Sequence, residues 1–249
     1  MKQDHYTQWG DQGHTLVFIH YFGGNAKSWQ WVARRLCGNY RCIALCLPGF
    51  GKTQPLKETS IETMAEWAVS QLDTLGIDNY TIIGHSMGGK IALQMAAFPN
   101  GQTIHRLILI APSPPSYEPM PNDEKERMLK HPDSEEAKQT VKNAIASDLD
   151  DEKYDYATNS QLEVSHTTWK WWLLTGMDND ISTTAKQLTI PITVLASEND
   201  AVISKELIQN EVLPNLSNVK ALYNQNSGHL IPMEAPVWTA NQIVNIVEG

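Results

Sequence analysis

Short apolar runs recur along the chain at Leu16 to His20, Tyr40 to Leu47, Tyr80 to Gly84, Ile104 to Ala111, Ile192 to Ala196 and Val219 to Tyr223. Each is bounded by Gly, Pro, Asn or charged residues, and continuous apolar runs of this length suit strands buried on both faces. Segments of helical spacing lie between them. Thr59-x-x-Glu62 has the form of a capping box, followed by Met64, Trp67, Ala68, Leu72 and Leu75, with Gly76 as the stop. A second helix is expected over Gly88 to Phe98, ended by Pro99. Strand and helix alternate, which predicts an α/β fold with a mostly parallel sheet and helices on both faces.

The alternation stops between about Pro112 and Ala185, where no strand pattern is evident. The stretch opens with Pro112, Pro114, Pro115, Pro119 and Pro121 and continues through acidic helical segments, Asp123 to Lys130 and Ser134 to Ser147. It reads as a helical insertion between two strands, placed to cover the sheet edge where open α/β folds bind ligands. The expected division is a core of residues 1–111 and 186–249 with a helical cap over 112–185.

Candidate chemistry centres on Gly84-His85-Ser86-Met87-Gly88-Gly89, a Gly-x-Ser-x-Gly pattern after an apolar strand and before a helix. Such a turn holds the Ser86 hydroxyl above the sheet at a helix N-terminus, where the dipole favours developing negative charge. A serine hydroxyl needs an adjacent base. Of eight histidines, His229 stands in a loop after the last apolar run, in the chain order nucleophile, acid, histidine. Glu198 and Asp200 follow the Ile192 run as candidate acids that would orient the base, and Asp200 is preferred. The backbone N–H groups of Met87 and Phe22 are the expected oxyanion donors. Tyr21, His85, Trp169 and Trp172 are candidate lining for a substrate pocket. For Trp169 and Trp172, which share a helix face with Leu173, packing of cap on core is the simpler reading.

Composition narrows the field. Charged residues are 19% and apolar residues 41% of 249 positions, as in an ordinary globular chain. The net charge is −9 with no Lys/Arg cluster, which gives no footprint for nucleic acid and a mild bias against strongly anionic substrates. No apolar run is long enough to cross a membrane, and Met1 to Gly10 lacks an apolar signal core, so the expectation is a soluble cytoplasmic protein. Cys37, Cys42 and Cys46 are expected as reduced thiols with no metal-binding spacing, and no cofactor is implied.

The runs His20 to Gly24, Leu47 to Lys52 and Gly84 to Gly89, the Asp200 loop and Gly228-His229 together resemble the α/β-hydrolase superfamily over about residues 14 to 248. Within it the chain looks like the capped esterase, lactonase and carbon–carbon hydrolase group. That resemblance implies an eight-stranded sheet with the cap inserted after the sixth strand, Ser86, Asp200 and His229 as the catalytic set, and Phe22 and Met87 at the oxyanion positions. It further implies a serine hydrolase acting on a small or medium apolar ester or lactone. The alternatives are a carbon–carbon bond hydrolase of ring-cleavage diketones, or a ligand-binding or signalling protein on the same scaffold. Haloalkane dehalogenases and epoxide hydrolases carry Asp where this chain has Ser86. Two positions depart from the pattern: Tyr21 where the superfamily usually has Gly, and Cys46 where it usually has Asp.

Overall fold

A computed structural model describes residues 5–98 and 102–249. Pro99, the expected helix stop, lies outside the described residues, as do residues 1–4 of the expected core. Seven strands form one sheet: β1 (Tyr6–Trp9), β2 (Thr15–Ile19), β3 (Arg41–Leu45), β4 (Asn79–His85), β5 (Thr103–Ile110), β6 (Ile192–Ser197) and β7 (Val219–Asn224). Their order is β1-β3-β2-β4-β5-β6-β7, with β1 antiparallel to β3 and every other pairing parallel. β2 and β6 are buried at every position, so side chains pointing to both faces are covered and the strands read as unbroken apolar runs.

Eleven helices are described: α1 (Gln30–Leu36), α2 (Ile61–Thr74), α3 (Met87–Ala96), α4 (Asn122–Met128), α5 (Ser134–Ala144), α6 (Asp151–Leu162), α7 (His166–Trp171), α8 (Ser182–Lys186), α9 (Lys205–Leu207), α10 (Ile231–Glu234) and α11 (Pro236–Glu248). α1 packs on α11, while α2 packs on α3, which also lies on β4 and β5. The capping box of α2 begins one residue later than its sequence pattern predicts. Ser60 accepts from the Thr63 N–H while the Thr63 hydroxyl takes the Ser60 N–H. Glu62 instead sits in the first turn, where its charge suits the helix dipole.

The helical stretch α4 to α8 lies between β5 and β6 and contains no strand, as its pattern predicts. It follows the fifth strand, not the sixth, and the sheet has seven described strands, not eight. Among the described residues ahead of β2, Tyr6–Trp9 alone is extended and paired. Its alternating exposure, with Tyr6 and Gln8 outward, left no apolar run in the sequence. Trp169, Trp172, Leu173 and Met177 join the main apolar core with the sheet residues. A second cluster joins Tyr21, Trp31, Leu230 and Met233 to Val141, Ala144 and Ala157 of α5 and α6.

Candidate active site

β4 turns directly into α3, and Ser86 stands at the junction with φ 54° and ψ −121°. Positive φ in a residue with a side chain stores on the order of 1–3 kcal/mol and persists only where neighbours hold it. Here the Ser86 N–H donates to the Ile110 carbonyl at 2.9 Å, and its own carbonyl accepts from Gly89 at 2.8 Å and Ser113 at 3.1 Å. The turn tolerates no side chain at two positions. A Cβ on Gly84 would stand 2.4 Å from the Gly88 carbonyl oxygen, and one on Gly88 would stand 2.4 Å from that of Ile19.

His229 lies in the loop between β7 and α10. Its Nε2 accepts from the Ser86 hydroxyl at 3.0 Å, and its Nδ1–H donates to Asp200 Oδ2 at 2.8 Å. Asp200 follows β6 and is fixed in turn, because its Oδ1 accepts the N–H groups of Val202 and Ile203, each at 2.8 Å. All three residues are at least 94% buried. Burial disfavours a charged imidazole, but the Asp200 carboxylate outweighs it, with Glu118 and Glu234 adding, and the His229 pKa lies above 6.5. Glu198, the other candidate acid, pairs with Lys205 at 2.8 Å away from this chain of hydrogen bonds.

Two other histidines are held neutral around it. The His20 Nδ1–H donates to the Tyr21 carbonyl, and its Nε2 accepts from the Leu47 N–H, which ties the loop after β2 to the loop after β3. Burial pushes its pKa down to about 4. His85 Nε2–H donates to the His229 carbonyl at 2.8 Å, and its pKa is driven far below 6.5 by burial and by His229.

A cavity of about 520 Å³ opens onto Ser86 and His229, within the usual range of small-molecule sites, roughly 300–1,000 Å³. Tyr21, Phe22, Met120, Met128, Val141, Trp172 and Leu230 supply much of its wall, so α4, α5 and the turn after α7 contribute to it beside the loops that follow β2 and β7. The structure thus brings Tyr21, Phe22 and Trp172 to the cavity but leaves His85 and Trp169 behind the wall. Trp169 packs its ring at a tilt on Phe22, 4.3 Å between centroids, and stacks on His131 at 4.2 Å, and its Nε1–H is spent on the Met128 carbonyl. Met87 follows Ser86 in the chain and Phe22 lines the same cavity: the Met87 N–H opens α3 and so has no acceptor within the helix, and Phe22 sits in the turn closed by Gly24 N–H on Tyr21 O at 3.1 Å. Tyr21 keeps ordinary backbone angles, since positive φ outside glycine is confined to Ser86, Ala111 and Asn218 among the described residues. Its ring packs 5.2 Å from that of His85.

The model of the α/β hydrolase fold matches residues 14–152, just over half of the chain. The chain belongs to the α/β-hydrolase family. Among relatives of this chain is the dihydrolipoyllysine-residue acetyltransferase component of an acetoin cleaving system from Cupriavidus necator. It is 38% identical over 92 residues, covering 36% of this chain and 25% of that protein. The pimeloyl-[acyl-carrier protein] methyl ester esterase of Aeromonas salmonicida is 35% identical over 103 residues, covering 41% of this chain and 39% of that one. The matches thus span well under half the length of these relatives. In structure the chain superposes on an esterase from Exiguobacterium antarcticum with a TM-score of 0.89, covering 98% of this chain and 95% of that one at 20% identity, a likeness of fold.

Three charged residues around the site gave no signal in the sequence. Glu118 follows a proline-rich run without periodicity, yet its carboxyl is buried on the cavity wall. Glu234 reads as a helix-end charge, yet its Oε2 accepts from the N–H groups of Gly228, Ala146 and Ser147 at 2.8, 2.9 and 3.0 Å. Lys90, with Nζ on the Ser116 and Met177 carbonyls at 2.9 and 3.1 Å, looks like a surface lysine of a helix but is wholly buried. Among the described residues no group of three or more His, Cys, Asp and Glu side chains is arranged to hold a metal ion, and no helix is long and apolar enough to cross a membrane.

Proposed function

We propose that this chain is a serine hydrolase that cleaves a small or medium, largely apolar carboxylic ester or lactone through an acyl-serine intermediate. The observation that carries the reading is the unbroken line of hydrogen bonds from Ser86 through His229 to Asp200, ending on one apolar-walled cavity. In this reading Ser86 Oγ attacks the ester carbonyl as His229 Nε2 takes its proton. Asp200 holds the imidazole in the tautomer that can accept it and stabilises the imidazolium that forms. The oxyanion is received by the N–H groups of Phe22 and Met87. Collapse of the tetrahedral intermediate breaks the ester C–O bond, and the imidazolium returns its proton to the leaving alkoxide. Water then attacks the acyl-serine, again giving a proton to His229, and the acid departs as Ser86 recovers its hydrogen.

Residues 112–185 act in this account as a cap on a core of residues 1–111 and 186–249, with Trp172 and Tyr21 shaping the pocket and no metal or cofactor in the reaction. The relative from Aeromonas salmonicida, named as a methyl ester esterase, supports ester chemistry. A panel of p-nitrophenyl esters of increasing acyl length, with γ- and δ-lactones, tests the reading. Turnover is expected to fall on the order of 10⁴-fold or more in Ser86→Ala, whose melting temperature stays near that of the parent chain. Retained turnover in that variant, or none in the parent chain on any ester or lactone, rejects it. A vinylogous diketone in the same panel separates carbon–carbon hydrolysis, which would use the same serine.

A further inference from the structure

The cavity beside Ser86 is acidic on one side. Glu118, Asp123 and Glu124 all line it, and among the described residues no lysine or arginine does. Glu124 is already neutralised, because its carboxylate is gripped by Arg127 from outside the cavity wall. Glu118 is not. It is only 5% exposed, and its Oε2 is buried without a hydrogen-bond partner. The nearby ammonium of Lys90 is spent on two backbone carbonyls and makes no ion pair with it within 4.0 Å. Its backbone is fixed, since the Glu118 N–H donates to the Met177 carbonyl at 3.1 Å and so ties the start of the cap to its far end. An unpaired carboxyl held in a largely apolar cavity is costly unless something that enters the cavity supplies the missing donor. Burial accordingly raises its pKa, against the weaker pull of His229, Lys90 and the Ser113 hydroxyl, which is near the carboxyl but itself makes no hydrogen bond.

We propose that Glu118 is a specificity-determining residue that binds a cationic, primary-ammonium end of the substrate, so that the preferred ester carries an amine at the end of an apolar arm. This rests on the serine hydrolase reading and adds the substrate's charge to it. The ammonium would bring both the positive charge and the N–H donors that Glu118 lacks, with Asp123 adding to the field, and the arm between amine and carbonyl would run along Met120, Met128 and Trp172. An anionic arm would meet the carboxylates of Glu118 and Asp123 with no lysine or arginine on the cavity wall to compensate them.

The test is a comparison of matched esters in which only the charge of one end changes. On the acyl side, phenyl 6-aminohexanoate is set against phenyl heptanoate and the phenyl monoester of adipic acid. On the alcohol side, 3-aminopropyl hexanoate is set against butyl hexanoate. In the parent chain kcat/KM is expected to favour the ammonium ester at least tenfold over its alkyl match in one of the two series, with the carboxylate ester poorest. Glu118→Gln, nearly equal in size, is expected to reduce that preference at least tenfold, mostly through KM. Equal or better turnover of the alkyl ester in both series, or a preference that survives Glu118→Gln in a chain that melts normally, overturns the proposal. Both failures leave the hydrolase reading standing as long as alkyl-ester turnover still depends on Ser86, and loss of that dependence would sink the hydrolase reading itself.

Discussion

Ser86 owes its place to backbone atoms as much as to its hydroxyl. Its positive φ is sustained by three hydrogen bonds and by the absence of side chains at Gly84 and Gly88, whose hypothetical Cβ atoms would strike carbonyl oxygens at 2.4 Å. Backbone cannot retreat as a side-chain tip can, so Gly88→Ala is expected to destabilise the fold by about 2 kcal/mol or more. Urea unfolding would measure it, and a loss below about 0.5 kcal/mol would show that the turn is slacker than described. At His229 the expectation is one of pH. Because Asp200 holds its pKa above 6.5, the imidazole is protonated, and unable to take the Ser86 proton, up to a higher pH than a free histidine would be. The kcat/KM profile is therefore expected to rise with pH and reach half its plateau above 6.5, while Asp200→Asn moves the midpoint down and lowers the plateau by roughly 10³–10⁴-fold. A flat profile from pH 5 to 8 contradicts the assignment of His229 as base. These residues were legible because a nucleophile turn imposes its own spacing, whatever surrounds it. Glu118 was not, because nothing in a run of prolines reveals which side chain turns inward.

The loop that carries His229 is supported by an element distant from it in sequence. Its N–H donates to the Ala144 carbonyl at the end of α5 at 2.6 Å, and Glu234 Oε2 gathers the N–H groups of Gly228 and of Ala146 and Ser147, which follow α5. One carboxylate thus binds the histidine loop to the segment after α5. Glu234→Ala would leave these donors without their acceptor and remove a negative charge that raises the His229 pKa. The expected result is a lower kcat with the midpoint of the pH profile shifted downward. A purely structural role would lower the melting temperature and leave that midpoint unchanged. Element by element, the apolar runs located six of the seven strands; burial on both faces leaves a continuous signature in β2 and β6, whereas β7, at the sheet edge, is mostly half-buried and was found by its apolar residues alone. β1 escaped because it is short, exposed at alternate positions and polar at its centre, Thr7 and Gln8, and the cap of α2 was displaced by one residue because Thr59 and Ser60 are chemically interchangeable as caps.

For the molecule as a whole, the sheet shares its main apolar core with α4, α7, the turn after it and α8, while α5 and α6 pack through the second cluster. Trp172 belongs to that core and also faces the cavity, so the sequence choice between packing and pocket lining has both answers at this residue. Trp169 has only the first. Trp172→Ala is expected to cost about 3–5 kcal/mol of stability, read by chemical denaturation, and a loss under about 1 kcal/mol would mean that the two parts are packed more loosely than described. The alternation of strands and helices made the α/β architecture legible, whereas the count of eight strands came from likeness to a family and not from any run in this chain. The meeting of Ser86, Asp200 and His229 is a property of the parallel sheet, whose strand ends β4, β6 and β7 present their following loops on one side. The most direct measurement of whether that meeting activates Ser86 is the intact mass of the protein after treatment with a fluorophosphonate, with peptide mapping of the adduct. A single adduct on Ser86, absent from Ser86→Ala and much slowed in His229→Ala, is the predicted result. A folded parent chain that stays unlabelled, or labels elsewhere, would contradict the account.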